Sequence, residues 1–274
     1  TKEETFLYAV FPAPHLARAT ELLADLATHA RFPEAEIEKE REVILDEIRS
    51  YEDAPAELIF DEYESQLFGT HPLGRPILGN KRTLRRFDAA RGRSFMARYY
   101  TAPNMVFFSM GPADFRRVVR LAERHFADLP TATAPHHRMP PDELTPREAI
   151  CRKRTHQSHV VLGARACHLF DPRHAPLYLL NNILGGPGMN SRLNVALRER
   201  RGLVYGVESN LTCYTDAGLC TIYFGTDPRH RAQALDLVRA ELDRLRARPL
   251  TPSQLAAAKK QAIGQLHVAS DNRE

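Results

Sequence analysis

The chain has 274 residues, of which 43% are hydrophobic and 26% charged, with 38 Lys and Arg against 34 Asp and Glu. These proportions are those of a globular protein and exclude intrinsic disorder, a collagen-like repeat or a fibrous coiled coil as descriptions of the whole. The formal charge of +4 is mild and spread along the sequence, so charge alone does not point to nucleic acid, and no apolar run approaches the roughly 20 residues a membrane span needs.

In chain order, Phe6–Phe11 reads as a strand, and Pro14–His29 as an amphipathic helix with Leu16, Ala19, Leu22, Leu23 and Leu26 on one face. Pro33 opens a second helix that runs to about Tyr51, with Glu34 and Glu36 in its first turn, where they complement the helix dipole. Helices are predicted over Ala54–Phe68, Asp88–Tyr100 and Asp114–Ala127, and a strand over Met105–Met110. Five prolines between Leu129 and Glu148 favour an extended connector. The expected division is therefore a first domain over residues 1–128, a linker over 129–149 and a second domain over 150–274. Beyond the linker, His159–Ala164, Tyr205–Cys213 and Gly218–Gly225 read as strands, the last two as a hairpin, and Arg229–Arg246 and Pro252–Val268 as helices. Helices and hairpin strands mixed in this way predict an α+β fold.

Cys151, Cys167, Cys213 and Cys220 show no Cys-x-x-Cys spacing, so neither a zinc ribbon nor a thioredoxin-type pair is available. Reduced thiols are the simplest expectation. A hairpin would place Cys213 and Cys220 on facing strands, which leaves a disulfide open in an oxidising compartment.

An internal repeat organises the whole. The segment from Phe6 and the segment from Thr221 each read strand, Pro-containing turn, amphipathic helix and Pro-started helix, with His15 aligned to His230, Leu22 to Leu237 and Pro33 to Pro252. A period this long cannot fit two complete copies into the chain, so it is expected to begin inside one copy and stop inside the next. The repeat also singles out two carboxylates. Glu40 and Glu47, seven apart, share one face of the second helix around Val43 and Ile44. In the other copy their places fall on Lys259 and Leu266, as expected if only one copy does chemistry.

The stretches Pro33–Glu47, Tyr51–Asp53, His71–Gly79, Tyr100–Met105, Leu184–Leu193 and Leu197–Tyr205, in this order, resemble the M16 zinc metallopeptidases, the insulinase and processing-peptidase family. The resemblance implies two homologous α/β sandwich domains with antiparallel or mixed sheets, both incomplete here. It also implies one Zn2+ in the complete protein, held by the histidines of a His-x-x-Glu-His motif and by a later glutamate. By position that glutamate is Glu47, and Glu40 matches an acid that supports the histidine ligands. Such a site leaves one zinc position for a water whose pKa falls to about 7. Arg198 and Tyr205 match the family's substrate-contacting Arg/Tyr pair, and the turn at Gly185–Gly188 matches a peptide-contacting segment. The implied substrates are extended peptides or unfolded segments, and the implied assembly is a homodimer or a heterodimer of M16 chains.

None of the twelve histidines belongs to a His-x-x-Glu-His or His-Glu-x-x-His arrangement. His156 and His159 are expected at the surface, and His136–His137 in the solvated linker. The expectation is that the motif lies upstream and that this chain, with one carboxylate, does not hold catalytic zinc by itself. The alternative is a non-catalytic partner subunit, against which retention of Glu40 and Glu47 argues. A remoter alternative is nucleic-acid binding by Lys81, Arg82, Arg85, Arg86, Arg91, Arg93 and Arg98 with Phe87, Phe95 and Tyr99 interleaved. Helical spacing is expected to bury most of those aromatics and leave the arginines solvated.

Overall fold

The structure is a computed structural model that describes residues 1–133, 138–142 and 146–271. Parts of the expected 129–149 connector, His136 and His137 among them, and residues 272–274 lie outside the described residues. The elements are α1 (Leu16–Thr28), α2 (Glu34–Glu52), α3 (Pro55–Phe68), α4 (Lys81–Leu84), α5 (Ala89–Tyr99), α6 (Phe115–Phe126), β1 (Ser158–Ala166), α7 (His174–Gly185), β2 (Val204–Cys213), β3 (Gly218–Thr226), α8 (Arg231–Ala247) and α9 (Pro252–Asp271). A π-helical turn spans Asn194–Glu199. The class is α+β, and none of the described helices is long and apolar enough to cross a membrane. The chain forms two compact units. One takes Thr1–Arg49 and the described residues from Ile77 to 133, and the other takes Ser50–Pro76 and the described residues from Arg138 onward.

In the first unit α1 packs on α6, and small buried side chains at Thr20, Ala24 and Ala27 allow the approach. This corrects the expected α1 face, because Leu22 and Leu26 are 55% and 53% exposed. Leu26 lines an open groove with Phe32, Phe87, Phe95 and Tyr99. Phe87 and Phe95 are exposed and Tyr99 is half-buried, so the expected burial of most of the interleaved aromatics is corrected as well. Phe32 takes a left-handed backbone (φ 52°), and its ring lies against α5 at Gly92, where a Cβ would come within 2.8 Å of it. The guanidinium Nη2 of Arg41 ties α2 to the loop before α5 by donating to the Phe87 carbonyl at 3.0 Å.

Neither Phe6–Phe11 nor Met105–Met110 is a strand. A strand exists only through hydrogen bonds to a neighbour, and among the described residues these two segments have none to pair with. Phe107 turns inward, its ring 5.5 Å from that of Phe126. Its neighbours Val106 and Phe108 are 94% and 77% exposed.

The second unit is built on an antiparallel sheet in the order β1-β3-β2. One face carries Val160, Leu162, Val204, Val207, Ile222 and Phe224. It is covered by Leu184 of α7, Leu193 and Leu197 of the π-turn region, and Ala234 and Val238 of α8. Phe224, Leu193, Leu197, Ala234 and Val238 are fully buried, so this is the main core, each large side chain contributing about 1.5–3 kcal/mol. On the other face α3 lies against β1, with Leu67, Phe68 and Tyr63 packed on Leu219, Tyr214 and Ala217. The Arg165 guanidinium anchors this layer. It sits 4.5 Å over the Phe68 ring, and its Nη2 donates to the Leu67 carbonyl.

Candidate functional site

Glu40 and Glu47 lie on the solvent side of α2, both exposed. The buried side of the same helix is formed by Leu45 and Ile48, about a quarter-turn or more away around the axis. Val43, between the two acids, is 58% exposed. The carboxylates supply oxygen donors only, and among the described residues no group of three or more His, Cys, Asp or Glu converges to hold a metal. The residues present therefore do not complete a zinc site.

Arg198 and Tyr205 stand on the second unit at either end of an irregular connection. Arg198 is in the π-helical turn, where the Arg200 N–H reaches back five residues to the Val195 carbonyl at 3.1 Å. Such turns, wider than an α-turn by one residue, recur at functional sites. The turn ends at Gly202, which takes a left-handed backbone (φ 59°). There the Gly202 N–H donates to the Arg198 carbonyl and the Leu203 N–H to the Leu197 carbonyl, both at 2.9 Å. This is a glycine-terminated helix end with each bond lengthened by one residue.

Strand β2 then starts with a bulge. Val204 pairs with Thr226 and Val207 with Phe224, so Tyr205 and Gly206 together oppose the single residue Gly225. A two-against-one bulge re-aims the side chain it carries. Tyr205 is 84% exposed while its neighbours Leu203 and Val204 are buried. The Arg198 side chain is also exposed, with Nε 3.8 Å from a Glu199 carboxylate oxygen, a surface pair of little energetic weight. The pair is thus displayed to solvent from a backbone fixed by the core.

The Gly185–Ser191 turn is tied to α9. Asn182 Nδ2 donates to Gln265 Oε1 at 2.6 Å and Asn190 Nδ2 to Gln261 Oε1 at 3.0 Å. Below it, Asn181 and Ser209 exchange two hydrogen bonds, fastening α7 to β2 within the core. His159 is not a surface residue as expected. It is half-buried, its Nδ1 is 2.9 Å from the Tyr223 hydroxyl, and burial lowers its pKa below the usual imidazole value. All four cysteines are free thiols. Burial and the adjacent Cys167 thiol push Cys213 up to about 11, and burial raises Cys220, so neither is an activated nucleophile. Sequence reasoning missed Thr226, whose hydroxyl donates to the Leu203 carbonyl at 2.6 Å just ahead of the bulge.

The antiparallel sheet and the flanking helices define an α+β chain. The family model of insulinase, peptidase family M16, matches residues 1–81, and that of the peptidase M16 inactive domain matches residues 86–262. An uncharacterized zinc protease of Bacillus subtilis is 33% identical over 99% of this chain and 66% of its own length. A Streptomyces coelicolor protein of the same description is 33% identical over 97% of this chain and 58% of its own. The chain thus spans less than two thirds of these relatives. Among solved structures, the peptidase M16 inactive domain from Pseudomonas fluorescens superimposes with a TM-score of 0.85 at 26% identity, over 90% of this chain and 60% of that one. A protease from Helicobacter pylori shares the fold, with a TM-score of 0.85 at 21% identity over 94% and 64% of the two chains. The chain belongs to peptidase family M16.

Proposed function

We propose that this chain carries one acidic zinc ligand, Glu47, and part of the peptide-binding surface, Arg198 and Tyr205, of a zinc metalloendopeptidase acting on extended peptides or unfolded segments. The observation that carries this reading is the bare Glu40–Val43–Glu47 face of α2, set against Lys259 and Leu266 in the repeated helix. Acids kept in one copy and replaced in the other are accounted for by a metal site that only one copy serves. Glu40 stands behind the histidine ligands, and those imidazoles come from outside these 274 residues, whose twelve histidines form no His-x-x-Glu-His motif. Three protein ligands leave zinc a position for water. Arg198 would donate to peptide carbonyls, and the Tyr205 hydroxyl would hydrogen-bond a carbonyl or the oxyanion that develops from it.

The test is metal content and peptide cleavage in the protein from the complete reading frame, compared with its Glu47→Gln variant. Loss of about one zinc per chain together with turnover is the expected result. Undiminished metal and turnover in the variant would remove Glu47 from the ligand set. A second reading, a non-catalytic subunit paired with an active M16 chain, is favoured by the missing histidine motif. It predicts no zinc in the complete protein and cleavage only after the partner is added.

A further inference from the structure

We propose that Thr226 is a positioning residue for Tyr205: its buried hydroxyl pins the Leu203 carbonyl and thereby fixes the bulge that turns Tyr205 out of the sheet. The inference rests on the reading of Tyr205 as a peptide contact.

Thr226 ends β3, the central strand, with Ser158 of β1 on one side and Val204 of β2 on the other. It is 1% exposed, and its Oγ1 donates to the Leu203 carbonyl at 2.6 Å. Regular pairing between β2 and β3 is interrupted between Val204 and Val207, so the ladder does not hold Tyr205 and Gly206. Packing does not brace Gly206 either, since among the described residues a Cβ there would meet nothing within 4 Å beyond its chain neighbours. Tyr205 itself is too exposed to be held by packing. What fixes its backbone is the residue pair just ahead. Leu203 is bound through its N–H to the Leu197 carbonyl of the π-turn and through its carbonyl to Thr226. One residue therefore receives constraints from the turn that carries Arg198 and from the central strand, and passes both to Tyr205. Without the hydroxyl, the Leu203 carbonyl is buried with one anchor fewer. The bulge can then relax toward regular pairing, which moves alternate side chains to the opposite face.

The sequence contains no tryptophan, so Tyr205→Trp creates a single reporter at the bulge. In that background Thr226→Val, close in shape but without the hydroxyl, is expected to lower the tryptophan anisotropy while the sheet still melts cooperatively. Thr226→Ser, which keeps the hydroxyl, is expected to restore it. With tyrosine at 205, Thr226→Val is expected to weaken binding of a fluorescein-labelled unstructured peptide about tenfold, the scale of one buried hydrogen bond. In the complete protein it should lower kcat/KM by a similar factor, and Thr226→Ser should recover it. In a Tyr205→Ala background Thr226→Val should add nothing. If Thr226→Val does not fold, Thr226→Ala compared with Thr226→Ser makes the same comparison.

The failures separate. Unchanged peptide binding in Tyr205→Ala overturns the parent reading. Weakened binding in Tyr205→Ala, with anisotropy and affinity intact in Thr226→Val, overturns only the role of Thr226. So does a Thr226→Val defect that persists in full beside Tyr205→Ala.

Discussion

The imidazole of His159 lies nearly parallel to the phenol of Tyr223, with 14° between the planes and 2.9 Å between Nδ1 and the hydroxyl oxygen. Phe60 of α3 closes over the same phenol at 5.1 Å between ring centres. Burial disfavours charge on both partners, lowering the pKa of His159 and raising that of Tyr223. A histidine whose folded pKa lies below its unfolded value of about 6.5 stabilises the fold fully above that pH. The stability is lost as pH falls from there toward the folded pKa, because the unfolded chain takes up the proton first. Urea titrations between about pH 7.5 and pH 5 should therefore show falling stability of the second unit, with a shallower slope in His159→Gln. Parallel slopes for wild type and variant would remove His159 as the cause.

A second prediction concerns Gly163 at the centre of β1. A Cβ there would lie 2.1 Å from the Cys220 carbonyl oxygen and 2.8 Å from the Tyr63 hydroxyl. The first obstacle is the main chain of the central strand, which cannot yield without breaking its pairing on both sides. Gly163→Ala should destabilise the second unit by about 3 kcal/mol, the upper part of the range for overpacked cores. At Gly264, inside α9, an added Cβ would meet no atom within 4 Å. Gly264→Ala should stabilise by up to about 1 kcal/mol through helix propensity. Equal effects at both positions would show that the contacts at Gly163 do not govern its identity.

The repeat shows which parts of the fold could be read from sequence. Short 3-10 turns ending at His15 and His230 lead into α1 and α8, and α2 and α9 follow in turn, so the helical half of the unit is local information. The strand half is not. Thr221–Thr226 is a strand because β1 and β2 flank it, whereas the aligned Phe6–Phe11, more apolar still, has no such neighbour among the described residues. Helix α7 is the harder element to read: Leu177, Leu180 and Leu184 keep helical spacing, but the paired Asn181 and Asn182 in its last turns look like a turn. Both asparagines are in fact buried and hydrogen-bonded, Asn181 to β2 and Asn182 to α9. Of the candidate site, Glu40 and Glu47 are legible through the contrast with the other copy and through the resemblance of their helix to the M16 pattern. Thr226 is not, since a threonine ending a strand is ordinary and its role depends on a carbonyl 23 residues away.

The thiols make a third prediction. Cys151 is exposed. Cys220 is half-buried and donates to Asn181 Oδ1 at 3.5 Å, and half-buried Cys213 has its pKa pushed up to about 11. Reaction with a maleimide proceeds through the thiolate, so exposure and pKa act in the same direction. At about pH 8 Cys151 should be modified first in the native chain, and Cys213 and Cys220 should react at its rate only after unfolding. Peptide mapping of a time course checks the order. Native-state labelling of Cys213 or Cys220 as fast as that of Cys151 would contradict the burial that raises their pKa values.

The last prediction concerns the first unit. Phe6, Tyr8 and Val10 are 66%, 84% and 81% exposed, and Val106 and Phe108 are exposed to a similar or greater degree. The two segments combine extended apolar sequence with backbone groups not engaged in a sheet, the combination that templates pairing between chains. The 274-residue chain should therefore self-associate with rising concentration, as seen by sedimentation velocity. Charge on one bare face should oppose this, because a lysine carried into an intermolecular sheet must be desolvated or meet its own copy. Val106→Lys with Phe108→Lys should shift the distribution toward monomer. The melting of the second unit should hardly change, since both positions belong to the first. A wild-type chain that stays monomeric at tens of micromolar would show that these segments are not adhesive.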